Sequence, residues 1–168
     1  MEKFKLIVKR IINWISKSNI FLYSISLWAI TSCMRLLVDV FKYIFNISDI
    51  QFSEPITDKN TKITIDLLLD TLIIAPILET IIFQTLFFVI LTKFKINKWI
   101  IVLVSGVTFG AIHYYSIFYM INTTLVGVVF IYFYILRAES NKRPFVSTMI
   151  AHATINLITL IFILLKPF

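Results

Sequence analysis

Residues 63–92 read ITIDLLLDTLIIAPILETIIFQTLFFVILT, an apolar run interrupted only by Asp66, Asp70, Pro76 and Glu79 among its ionisable or helix-breaking positions. A helix rising about 1.5 Å per residue crosses a bilayer in about 20 apolar residues, so this run exceeds one straight crossing. Pro76 has no amide hydrogen and its ring crowds the preceding turn, which predicts a kink or break there, with an interfacial stretch before it. Glu79 then lies deep in an apolar segment. An ionisable side chain costs roughly 2.5–3.5 kcal/mol at such a depth on insertion scales, so it calls for a partner or a chemical role.

The rest of the chain has the same character. Of 168 residues, 59% are hydrophobic and only 15% charged, with three glycines and four prolines. That composition excludes a soluble globular domain, a disordered tail and a flexible linker. Further apolar runs cover 19–46, 99–115, 118–136 and 145–165. The fold expected is all-α, a polytopic membrane helix bundle of about five transmembrane helices, the third short and nearly upright.

A net charge of +7 would suit nucleic acid only if the cations shared one soluble face, and here they sit between apolar runs. Lys3, Lys5, Lys9, Arg10 and Lys17 precede the first run, Lys93, Lys95 and Lys98 separate two others, and Arg137, Lys142 and Arg143 separate the last two. No nucleic-acid partner is expected. Loops rich in Lys and Arg stay cytoplasmic, which predicts a multi-pass cell-membrane protein with its N-terminus inside and its C-terminus outside. Residues 47–62, with Asp49, Glu54, Asp58, Lys59 and Lys62, then fall on the outer side.

Three regions follow from this reading. Residues 1–18 place Phe4, Ile7, Val8, Ile11, Ile12 and Ile15 near helical spacing among lysines, as in a helix lying on an anionic leaflet, or they form a plain basic flank. Residues 19–62 hold the first crossing and an outer loop, and 63–168 the remaining helices. Cys33 is the only cysteine, so no intrachain disulfide forms and no cysteine cluster holds zinc. Ile30-Thr31-Ser32-Cys33 after a basic start also looks like a lipoprotein signal. Against that reading, the apolar run continues past Cys33 and four later spans keep the chain in the membrane.

Arg35 and Asp39, four apart on one helix face, are read as an ion pair with each other or with Asp66 or Asp70. Glu79, His113, His152 and Asn156 lack such an explanation. Counted from Lys93, Lys98 and Arg143, Glu79, His113 and Asn156 lie about 20–22 Å into their helices, a common depth. His152 shares a face with Asn156 one turn nearer the cytoplasm. Gly106 and Gly110 form a small-xxx-small pair that draws a neighbouring helix close, and His113 follows on nearly the same face, so it is expected to point inward.

An acid, two imidazoles and a carboxamide in a dry site suit attack of water on a carbonyl. Glu79 takes a proton from water while a histidine positions it or serves the leaving nitrogen, and His152 and Asn156 donate to the oxyanion. Glu79, His113 and His152 can equally ligate zinc with one position left for water, and spacing does not choose. A buried hydrogen-bond network that fastens helices is the structural alternative.

Three ordered motifs carry a resemblance: Ala75-Pro76-Ile77-Leu78-Glu79-Thr80-Ile81-Ile82-Phe83-Gln84, then Phe109-Gly110-Ala111-Ile112-His113, then His152-Ala153-Thr154-Ile155-Asn156. Together, over roughly 66–165, they resemble the CPBP intramembrane proteases, which include CAAX prenyl endopeptidases and bacterial Abi-type relatives linked to bacteriocin processing and immunity. The family's first motif usually reads Glu-Glu-x-x-x-Arg, its second Phe-x-x-x-His, and its third His with Asn or an alternative four residues on. The resemblance implies that Glu79 and His113 activate water, that His152 and Asn156 stabilise the oxyanion, and that Phe109, Thr80 and Gln84 support them; the favoured mechanism uses no cofactor, with zinc on Glu79, His113 and His152 as the alternative.

Thr80 and Gln84 stand where the family has Glu and Arg. Losing both members of an i, i+4 pair leaves no buried charge unbalanced, and the two neutral side chains can hydrogen-bond to each other or to a neighbouring helix. The function expected is an intramembrane endopeptidase acting on a membrane protein or peptide in the lipid bilayer. The same departure permits a non-catalytic binding protein such as a bacteriocin self-immunity protein. A small-solute or ion carrier ranks behind both, because no inverted repeat or paired half-helices are visible.

Overall fold

The computed structural model describes residues 1–50, 52 and 64–165. The outer-loop charges Glu54, Asp58, Lys59 and Lys62 lie outside them. Six helices form in the described residues: α1 (Glu2–Lys17), α2 (Ile20–Ile44), α3 (Ile65–Lys93), α4 (Lys98–Ala111), α5 (Ile117–Glu139) and α6 (Pro144–Leu164). Their starts follow from local chemistry, since short polar side chains satisfy first-turn amides. Asn19 accepts from the Leu22 amide at 2.9 Å, Thr64 from Leu67 at 3.2 Å, Asn97 from Trp99 at 2.8 Å and Ser116 from Tyr119 at 3.2 Å. Helix α6 instead opens on Pro144, whose missing amide hydrogen would have had no helical partner anyway.

Helices α2, α3, α5 and α6 are each long and apolar enough to cross a membrane. Helix α4, with 14 residues, is a shorter apolar helix of about 21 Å, because the chain leaves helical geometry at Ile112. The third apolar run is therefore helical over less of its length than its composition suggests.

Helix α5 is the central element. Val129, Phe130, Ile131, Phe133, Tyr134 and Ile135 are all buried. One side packs with Ile15 of α1, Tyr23 and Leu27 of α2 and Ala151 of α6, and the other with Ile101 and Val102 of α4. Apolar side chains also cover the outside, as with Phe21, Leu37 and Trp99, which is expected of helices apolar all round.

Lipid tails supply no hydrophobic force between helices, so close approach depends on small residues. A Cβ on Gly127 would stand 2.8 Å from Phe109 Cβ, and one on Gly110 would stand 2.8 Å from the Met120 carbonyl oxygen as well as striking Thr124. On Gly106 it would strike Val128. Helices α4 and α5 thus meet backbone to backbone, which holds the end of α4 against the bundle.

Two expectations need correction. Of the kink or break expected at Pro76, the break does not occur: α3 is continuous from Ile65 to Lys93, with wide π-helical turns at Asp70–Ile74 and Thr80–Leu86. The first wide turn re-spaces the carbonyls ahead of Pro76, so the ring and its missing donor are accommodated without ending the helix. Nor does Arg35 pair with Asp39, Asp66 or Asp70. All four side chains are exposed on α2 and α3, and none has an ion-pair partner among the described residues. The ion pairs that do form among the described residues away from Glu79 are Lys42–Asp49 at 3.3 Å and Lys98–Glu139 at 3.0 Å.

Two polar clasps hold the ends of the bundle. At one, buried Arg137 donates to the carbonyls of Lys142 at 3.0 Å, Ser18 at 3.0 Å and Ser16 at 3.3 Å, and lies 4.4 Å from the Tyr23 ring centroid. At the other, Asp49 accepts from the Ser116 hydroxyl at 2.8 Å, the Phe118 amide at 3.2 Å and Lys42 at 3.3 Å, which caps α5 from outside the helix. Partial burial pushes the Asp49 carboxyl up, and these three donors outweigh it and hold it below its ordinary range.

Candidate active site

The site begins with a helix end. The His113 amide bonds back to Gly110 at 3.0 Å, a tighter turn than the α-helix makes, and so leaves the Phe109 carbonyl without the amide it would normally receive. The His113 ring takes that place, with Nδ1–H donating to the Phe109 oxygen at 2.7 Å. This bond fixes the tautomer and leaves Nε2 as an acceptor. That nitrogen stands 3.9 Å from Glu79 Oε2.

His152 reaches the same oxygen from α6, with its Nε2 at 3.6 Å. Its ring is buried and boxed by aromatics: Phe130 at 5.0 Å and Phe109 edge-on at 6.0 Å between centroids. Phe109 also packs on the His113 ring at 4.7 Å and against Phe83 of α3 at 5.5 Å. One phenylalanine therefore spaces both imidazoles and supplies the carbonyl that orients one of them. Glu79 Oε2 and His152 Nδ1 are buried with no hydrogen-bond partner among the described residues.

The structure thus brings Glu79, His113 and His152 together from α3, the end of α4 and α6. Asn156 is engaged differently. Its Nδ2 donates to the Thr71 carbonyl at 2.8 Å, inside the first wide turn of α3, where helical carbonyls are re-spaced. The bond ties α6 to α3 two turns from Glu79, and the second hydrogen on the same nitrogen is not used by it.

Thr80 and Gln84 correct a further expectation. Both are fully buried, yet the Thr80 hydroxyl and both amide atoms of Gln84 have no partner among the described residues. They bond neither to each other nor to a neighbouring helix. In the π-helical turn the residue five places on stacks best, and it is the Thr85 hydroxyl that reaches the Thr80 carbonyl at 3.1 Å. Thr85 in turn accepts from the Tyr134 hydroxyl at 3.1 Å, while Ser105 donates to the Phe83 carbonyl.

Sequence reasoning missed Phe130, the Thr71 carbonyl and the Asp49 cap. Phe130 sits in an aromatic-rich run with nothing to single it out, and a main-chain acceptor has no sequence signal. Asp49 could have been found as an acidic residue near a Ser-initiated helix, but only with the topology known. Among the described residues no group of three or more His, Cys, Asp or Glu side chains is arranged to hold a metal ion.

Comparisons with curated proteins and with solved structures give no match. A family model described as type II CAAX prenyl endopeptidase Rce1-like matches residues 62–158, more than half of the chain and all of Glu79, His113, His152 and Asn156, and the chain belongs to this CPBP family of membrane proteases.

Proposed function

We propose that this protein is an intramembrane endopeptidase that hydrolyses a peptide bond of a membrane-associated protein or peptide. The observation that carries the reading is one carboxylate oxygen, Glu79 Oε2, facing two imidazole nitrogens from separate helices at 3.9 and 3.6 Å. Membership of a protease family supports it.

The spacing suits a water molecule as nucleophile. An oxygen about 2.8 Å from both Glu79 Oε2 and His113 Nε2 subtends roughly 90° between them, near a water's own opening, so it donates one hydrogen to each. Its lone pair is left to attack. Glu79 takes the proton as the water oxygen bonds to the scissile carbon, and the carbonyl becomes an oxyanion. His152 and the free hydrogen of Asn156 are the donors assigned to that oxyanion, where exclusion of water strengthens each bond. Glu79 then returns the proton to the leaving nitrogen, the C–N bond breaks, and the new carboxylic acid passes its remaining proton to the amine, giving a carboxylate and an ammonium. The reaction so written uses no metal. The accompanying orientation puts the N-terminus and the loops at 93–98 and 137–143 in the cytoplasm, by their basic residues.

The test is cleavage by the purified chain in lipid vesicles. Glu79→Gln abolishes it while membrane insertion is kept, and a chelator leaves the wild-type rate unchanged. A fully active Glu79→Gln excludes Glu79 as the base, and loss to the chelator points to zinc on Glu79, His113 and His152. A non-catalytic binding role draws on the altered positions 80 and 84. It is the better reading if a protective phenotype survives loss of Glu79, His113 and His152 together.

A further inference from the structure

Helix α1 lies against the bundle with its last turn fixed. Ile12 and Ile15 pack into the core, and the Arg137 clasp holds the carbonyls of Ser16 and Ser18. Toward its start, Phe4, Lys5, Val8, Lys9 and Ile12 of the helix and Tyr132 of α5 border an open groove of about 280 Å³. Phe4, Val8 and Ile12 recur every four residues and form one apolar wall. Lys5 and Lys9 run beside them as a parallel basic rim.

The floor is Tyr132, with Trp99 stacked on it at 5.7 Å and Lys98 over its ring at 5.7 Å. Aromatic rings bordered by lysines are the composition of a membrane interface. Glu139, a nearby acid, is already held by Lys98.

We infer that this cleft binds one anionic phospholipid, its phosphate on Lys5 and Lys9 and an acyl chain along Phe4, Val8, Ile12 and Tyr132. Charge complementarity selects the occupant: two adjacent ammonium groups favour a headgroup with net negative charge over a zwitterionic one. The clasped last turn anchors the helix at one end of this open groove. The inference does not depend on the catalytic reading, because none of these residues touches Glu79 or either histidine.

The experiment uses the full chain in nanodiscs of phosphatidylglycerol or phosphatidylcholine, transferred to detergent, with retained lipid per chain counted by mass spectrometry. Wild type retains phosphatidylglycerol and not phosphatidylcholine. Lys5→Gln with Lys9→Gln weakens retention about thirtyfold, as expected for two lysines at an anionic surface. Lys3→Gln with Lys17→Gln, equal in charge but outside the cleft, changes it little. Val8→Trp fills the cleft with the lysines intact, so it must also abolish retention, and it decides the matter if the double lysine variant does not fold. Equal loss in both lysine pairs would mean diffuse attraction and overturn the site. So would equal retention of phosphatidylcholine, an unaffected Val8→Trp, or displacement by glycerol 3-phosphate, which would mark a site for free phosphate.

Discussion

Two neighbouring places on α3 differ in an instructive way. Glu79 is half-buried, and its carboxylate faces His113 and His152 from two other elements. Thr80 and Gln84, beside it and one turn on, are fully buried and touch no polar partner. Depth of burial therefore does not mark the site, and convergence of polar groups from several helices does. At the first place polar groups from separate helices converge on one carboxylate, whereas at the second two buried polar side chains stand without a partner among the described residues.

The largest effects are expected where groups converge. His113→Ala removes a nitrogen aimed at Glu79 and lowers the cleavage rate about 10³-fold, within the range for a positioned acid–base partner, with melting temperature almost unchanged. A rate within a few-fold of wild type would place His113 outside the chemistry.

At the second place the effect falls on stability. Thr80→Glu alone introduces an unpaired buried charge and costs about 3–5 kcal/mol, and adding Gln84→Arg restores much of it. Denaturation of both variants in the same detergent checks this. Equal damage would show that the two positions do not face each other closely enough to pair.

The comparison sharpens at Gly110, which links packing to the site. Gly110→Ala pushes a methyl group against the Met120 carbonyl and Thr124, costs about 1–3 kcal/mol, and shifts the turn that holds His113. Activity falls further than that loss of stability accounts for. If stability drops while the remaining folded protein keeps full activity, the α4–α5 contact serves packing alone.

The smallest effect lies at the outer clasp. The Asp49 pKa is depressed in the fold, so its contribution is present above the unfolded value of about 3.9 and is lost as pH falls through the folded value. Protection of the Phe118 amide from hydrogen exchange is therefore expected to hold down to about pH 4 and decline below it, and Asp49→Asn removes that dependence. The change is about 1 kcal/mol, the usual worth of a cap.

Legibility in the sequence divides along the same line. The helices were legible because about 20 apolar residues between basic loops have few other uses, and Glu79, His113 and His152 stood out because ionisable groups are costly among them. The local chemistry was not. Arg137 read as a topology signal, yet it is buried and bonded to three carbonyls, a role set by where α1 ends in space. The unbroken passage through Pro76 depends on π-helical turns, which have no composition of their own. Asn156 was readable as a polar group at the right depth, but its bond to Thr71 required the register of α6 on α3.

The most direct test of the central claim is a comparison of new peptide termini in membrane fractions of cells producing the wild-type chain or Glu79→Gln at equal level. The account predicts termini within or beside membrane segments that appear with wild type and are missing with the variant. The same termini in both, or none in either, would contradict it.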